Sequence, residues 1–254
     1  MLNAIRCSLP ARATLNCIHP VEHREALVRR RSAWAVAAIA ALTGDVVGGV
    51  AAAQASGASN SPTIACADSS VSGTIGATAC TIFARRPIPT PDGPLVWTLD
   101  AFPTRAAAVR AQVPTSAIVE MDGKAWLLTV GPRRPPTPGA QRVADIGPLP
   151  LPKASGYEMI LAYVAVPPGS RSAVHVQSGP EAWYVLAGSQ CVETSSTVQH
   201  IDQGQSGIVP ADTPLYLVAT GTVTRRAFFV IVHDTARPFY SEINTWKPRG
   251  ACGG

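Results

Sequence analysis

Beyond residue 94 the hydrophobic positions fall into short runs, most of them alternating with polar ones and almost all closed by glycine or proline. Alternation with period two is the mark of a strand with one face buried. Residues 95–102, with Val96, Trp97 and Leu99, read as the first such strand. Pro103 and Thr104 then open an alanine-rich segment over 105–112, which predicts a short helix with Thr104 as its N-cap and Pro114 as its stop. Residues 116–121 and 124–130 are two apolar runs separated by Asp122-Gly123, a strong short-range hairpin signal. A proline-rich loop over 131–152 is broken by one strand at 142–146. From Tyr157 the strands come in close succession, at 158–166, 175–177, 181–186, 190–193, 205–209, 215–219 and 227–233. Such spacing predicts an antiparallel barrel or sandwich with few helices. His200 falls in a turn near Asp202, His233 reads as a solvated histidine at a strand end with an inward orientation as the alternative, and the tail after Pro238 reads as irregular.

The N-terminal part of the chain, before residue 95, looks different. A basic cluster of Arg24, Arg29, Arg30 and Arg31 precedes an apolar run over 32–42, and small residues then lead to Ala53 and Ala55 with the spacing of a signal-peptidase site. The run is broken by Asp45 and by glycines, which makes it a poor permanent membrane span. The expectation is export, to the periplasm or beyond, with 1–55 removed. The formal net charge of +5 then lies largely in the presequence. What remains is near neutral and has no basic stripe with interleaved aromatics, so nucleic acid is not an expected partner. Cysteine usage agrees with an oxidising compartment, because Cys66, Cys80, Cys191 and Cys252 make an even set. A disulfide between Cys66 and Cys80 would close a short loop at a gain of roughly 3 kcal/mol. Cys191 and Cys252 are a second pair that could pin the tail, and free buried thiols are the alternative.

The chemistry concentrates between residues 169 and 188. Gly169, His175, Gln177, Glu181 and Gly188 fall on the spacing G-x5-H-x-H-x3,4-E-x6-G, with glutamine in place of the second histidine. This stretch resembles the first motif of the cupin family. A second cupin motif, G-x5-P-x-G-x2-H-x3-N, is traceable from Gly204 through Pro210, but Asp212, Leu215 and Ala219 occupy its glycine, histidine and asparagine positions. The resemblance covers about 157–240. It implies an all-β, cupin-type double-stranded β-helix, a jelly-roll barrel, with a smaller β-rich extension before it. The domain reading is a presequence over 1–55, a Ser/Gly/Pro-rich linker over 56–94, a hairpin-plus-helix extension over 95–152, the barrel over 153–240 and a tail over 241–254.

Alternation places His175 and Gln177 on one face of their strand, and Glu181, Trp183 and Val185 on one face of the next. A hairpin between the two strands would bring Glu181 beside His175. In cupins the matching positions hold a metal, so the resemblance implies His175, Gln177 and Glu181 as candidate ligands for Mn, Fe, Zn or Ni. An amide is a weaker ligand for such ions than imidazole, and leucine is none. The other reading is a polar pair of His175 and Glu181 with Gln177 alongside. His175, Gln177, Glu181 and Trp183 are accordingly the expected ligand-binding residues. No nucleophile elbow, phosphate loop or HExxH occurs. The expectations for function are an exported barrel that binds a small organic molecule, a metal-dependent oxygenase or isomerase, or a structural, partner-binding β-domain. A homodimer is an expectation of the resemblance as well.

Overall fold

The structure is a computed structural model and describes residues 66–68 and 79–253. The presequence and most of the expected linker lie outside the described residues. In chain order the strands begin with β1 (Cys66–Asp68), β2 (Ala79–Ile88) and β3 (Val96–Phe102), followed by helix α1 (Arg105–Ala111). Next come β4 (Ser116–Met121), β5 (Lys124–Gly131), β6 (Gln141–Ile146), β7 (Tyr157–Val166), β8 (His175–Gln177), β9 (Glu181–Ala187) and β10 (Ser189–Thr194). The last are β11 (Val198–Asp202), β12 (Ser206–Val209), β13 (Leu215–Thr220), β14 (Arg225–Asp234) and β15 (Tyr240–Glu242).

Three sheets form. The first has the order β1-β2-β7-β14-β9-β12, the second β11-β10-β13-β8-β15 and the third β4-β5-β3-β6. From β7 onward the chain passes back and forth between the first two sheets, which is the winding of a jelly roll. These two sheets remain separate and pack face to face around Val164, Trp183, Leu217 and Phe229. The fold is thus all-β, as the strand spacing predicts, and has the jelly-roll winding that the cupin resemblance implies.

The third sheet covers the back of the first. Trp97, Leu99, Trp126 and Leu128 pack there against Met159, Leu161, Tyr163 and Phe228. Phe228 sits at the centre, with edge-on contacts to Trp126 (5.4 Å) and Tyr163 (6.0 Å). The first sheet is therefore buried on both faces, which explains the near-continuous apolar run of β7. Alternation still sorts it, with Ile160, Ala162 and Val164 facing the barrel and Met159, Leu161 and Tyr163 the third sheet. Helix α1 closes the far side of the third sheet through Ala108 against Phe102 and Leu127. The Thr104 hydroxyl accepts from the Ala107 amide at 3.2 Å, as an N-cap should.

Three elements and one side chain depart from the sequence reading. The supposed linker contains β2, which pairs along nine positions with β7 and is a strand of the barrel wall. β11 occupies the segment read as a turn, so exposed His200 lies on a strand opposite Cys191. The tail after Pro238 contributes β15, paired with β8. His233 is buried rather than solvated, its Nε2 3.3 Å from the Glu158 carboxylate on the neighbouring strand.

The cysteines behave as an oxidised set. Cys191 and Cys252 form a disulfide that fastens the tail to the outer face of the second sheet. Cys80 is also disulfide-bonded, and it stands opposite Cys66 in the parallel register of β1 and β2. Glu193, wholly buried on the same outer face, adds a second anchor by accepting the backbone N–H groups of Arg249 (by a very short bond) and Ala251 (3.0 Å).

Candidate functional site

His175 and Gln177 point inward from β8, while Val176 between them faces outward and is less buried. The His175 Nδ1 lies 2.8 Å from the Ala173 carbonyl oxygen. A carbonyl only accepts, so Nδ1 is the donor in this pair and Nε2 is the nitrogen that faces the site. That Nε2 is 3.9 Å from Oε2 of Glu181, and the Gln177 amide donates to the same oxygen at 2.6 Å. The imidazole, amide and carboxylate predicted to meet do meet, and all three are buried.

They do not meet through a hairpin. β8 belongs to the second sheet, beside β13 and β15, whereas β9 belongs to the first, between β14 and β12. Glu181 faces His175 across the barrel. The segment Ser178-Gly179-Pro180 carries the chain from one sheet to the other, passing hard against the end of β14. A Cβ on Gly179 would sit 1.9 Å from the Val232 carbonyl oxygen, so only glycine fits this crossing. A second glycine is fixed for two reasons: Gly188 has φ +69°, and a Cβ there would meet the Arg225 Cα at 3.0 Å.

Leu215 lies directly opposite His175 in the β13–β8 register, buried at 1% exposure. The position where the cupin motif carries a histidine is therefore inside the site and presents hydrocarbon. Asp212, at the motif's glycine position, has φ +58°, which aspartate tolerates better than most residues. Its amide donates to the Gln177 carbonyl at 2.9 Å, and the Arg237 guanidinium bonded to it holds its carboxyl below the usual range.

These side chains line a cavity of about 80 Å³. Trp183, at 1% exposure, forms part of its wall and at the same time part of the barrel core, together with Leu217 and Phe229. Its neighbour Tyr184 points the other way, toward the third sheet. Two lining residues were not foreseen from the sequence. Tyr240 on β15 places its ring 4.7 Å from the His175 ring, and burial pushes its hydroxyl up to about 12, with Glu242 and Glu181 adding to the effect. Arg225 reaches the cavity from β14 and is 2% exposed. Burial pulls its guanidinium down to about 10, although the Glu181 charge acts to raise it. Arg225 was detectable in principle, because it shares the inward parity of Ala227, Phe229 and Ile231. Tyr240 had no periodic signal, since its strand is three residues long.

The donor set does not fit the metal that the cupin motif implies. Only His175 and Glu181 are strong ligands, and Leu215 supplies none. The carboxylate oxygen nearest the imidazole is already bonded to the Gln177 amide N–H. A buried cation, Arg225, shares the cavity and opposes a second positive charge.

No protein-family profile and no curated protein matches the chain. Among solved structures it is similar to a cupin-like protein of Thermotoga maritima, at 13% identity and a TM-score of 0.31, over 34% of this chain and 65% of that one. It is similar to a cupin 2 conserved barrel domain protein of Rhodopseudomonas palustris, at 15% identity and a TM-score of 0.31, over 35% of this chain and 67% of that one. A DMSP lyase of Ruegeria pomeroyi is similar at 15% identity and a TM-score of 0.29, over 33% of this chain and 42% of that one. The chain thus spans less than two thirds of the first of these relatives. In its barrel, this chain is similar to cupin-like proteins.

Proposed function

We propose that the barrel binds a small organic molecule in the cavity framed by His175, Gln177, Glu181 and Trp183, and that binding does not depend on a metal. The observation that carries this reading is the convergence, from opposite sheets, of three buried polar side chains on one apolar-walled cavity. Enclosed apolar cavities with a few convergent polar groups are the usual form of a small-molecule site. Within it, the neutral form of His175 offers Nε2 as an acceptor with the ring held through Nδ1, and Glu181 is a second acceptor oriented by Gln177. A ligand hydroxyl or amine would donate to either. The bound disulfides suit an oxidising compartment, which supports export as part of the same proposal.

Thermal unfolding of protein purified without chelator, with its metal content measured, tests the reading. The expected result is substoichiometric metal, a melting temperature unmoved by EDTA, and a concentration-dependent rise with a member of a panel of small organic compounds. Glu181→Gln is expected to abolish that rise. One transition metal per chain, lost together with stability on chelation or in His175→Ala, would overturn it in favour of a metal enzyme.

A further inference from the structure

Arg225 is the least accounted-for group in the barrel. Its Nε donates to the Gln190 side-chain oxygen at 2.6 Å, but its Nη2 has no partner, and neither has the Gln190 Nε2. Among the described residues it forms no ion pair, although it is buried at 2% exposure and lines the cavity. Buried guanidinium groups are normally paired, because an unpaired N–H away from water forfeits a hydrogen bond and an uncompensated charge costs more. The sequence could have placed a carboxylate beside it and did not.

The position is as informative as the charge. Glu181 stands opposite Ile231 on β14, and Arg225 starts six residues further along that strand, yet its long side chain lines the same cavity and feels the Glu181 charge. Arg225 thus reaches the cavity from a different part of β14 than the one that faces Glu181. Around them the wall is hydrocarbon and aromatic, with Val164, Trp183, Leu217 and Phe229. The cavity thus holds a cation and a carboxylate within one small, largely apolar space.

We propose that the ligand is a short-chain carboxylate whose carboxyl group pairs with Arg225 and whose apolar stem runs along Trp183 and Phe229 toward His175 and Glu181. This rests on the reading of the barrel as a small-molecule site and names the class of molecule. A planar guanidinium with a free N–H is the natural partner of a carboxylate, and the pair is among the stronger hydrogen-bonded contacts available. The Glu181 charge repels an anion and so keeps the carboxyl group on the Arg225 side. Size sets the rest: at about 10–15 Å³ for each water-sized group, 80 Å³ holds about five to eight non-hydrogen atoms. The apolar stretch favours an organic acid over an inorganic anion.

Calorimetric titration of the full chain with butyrate and with butyramide, its neutral counterpart of equal size, tests the proposal. Butyrate is expected to bind about tenfold tighter or more, the difference a charge-assisted contact makes. Arg225→Met is expected to erase that difference and Arg225→Lys to keep part of it. Equal affinity of the two compounds for the wild-type chain would overturn the carboxylate assignment and leave the small-molecule reading standing. Sulfate binding as tightly as butyrate would overturn it in favour of an inorganic anion. Failure of both compounds, and of every neutral compound in the thermal panel, would overturn the two readings together.

Discussion

If Arg225 exists for a ligand, the empty protein should be better off without it. The guanidinium falls well below its ordinary value, to about 10, because burial disfavours its charged form. That fall corresponds to about 3 kcal/mol of unfavourable charge burial, at about 1.4 kcal/mol per tenfold change in proton affinity. Against this stands one hydrogen bond to Gln190, whose amide nitrogen is itself unpaired. Replacing both residues by apolar ones removes the charge, the bond and the two orphan donors at once. The double variant Arg225→Met/Gln190→Leu is therefore expected to gain about 1–3 kcal/mol, as buried charged clusters often do when exchanged for hydrocarbon. For a domain of this size that is a rise of roughly 2–10 °C in melting temperature, and urea unfolding gives the free energy itself. The sign with pH follows from linkage. Arginine with a lowered folded-state pKa penalises the folded state wherever it is charged, so the penalty is complete below about pH 10 and is relieved as pH rises toward the ordinary guanidinium range. The advantage of the variant should accordingly be flat through neutral pH and shrink above pH 10. A variant destabilised by 2 kcal/mol or more would refute the reasoning, since Arg225 would then be a structural strut.

Four further outcomes are expected. Leu215→His combined with Gln177→His adds two imidazoles beside His175 and Glu181, and should confer stoichiometric Zn binding in calorimetry where the wild-type chain shows none; an equal response from both would contradict the donor argument. Cys191→Ser/Cys252→Ser opens a loop of 61-residue separation and should cost about 4 kcal/mol in urea unfolding, with no loss if the tail is held by Glu193 alone. Gly179→Ala should yield little folded protein, because its Cβ would overlap the Val232 carbonyl, whereas Gly169→Ala, which meets no neighbour, should cost only the strain of its positive φ; circular dichroism and soluble yield distinguish the two. The raised Tyr240 hydroxyl favours the protonated folded state, so stability should fall between pH 10 and about 12, and Tyr240→Phe should flatten that fall in alkaline unfolding curves.

The barrel was legible where one face of a strand is buried by the other sheet, because His175, Gln177, Trp183 and Phe229 then recur with period two. It was illegible where that condition fails. β2 carries Arg85, Arg86 and Pro87 at its end and follows a Ser/Gly-rich stretch, so it reads as linker although it pairs fully with β7. β11 buries only Ile201 and leaves no pattern to find. The site residues were legible as a set, but their geometry was not. Proximity in sequence suggested a hairpin between His175 and Glu181, and only the tight crossing at Gly179 shows that the two strands belong to opposing sheets. Arg225 was hidden by its neighbour, since Arg225-Arg226 looks like a solvated pair. Strand parity separates them, sending Arg225 into the barrel and Arg226 outward to Asp122.

The central claim is that the space between Arg225 and the His175–Glu181 group is where the ligand sits. A two-dimensional ¹⁵N NMR titration of the full chain with butyrate reads that space directly, through the side-chain N–H signals of Arg225 and Trp183. Both signals should move saturably and with one shared dissociation constant. Shifts confined to residues outside the barrel cavity, or no saturable shift of either signal, would contradict the account.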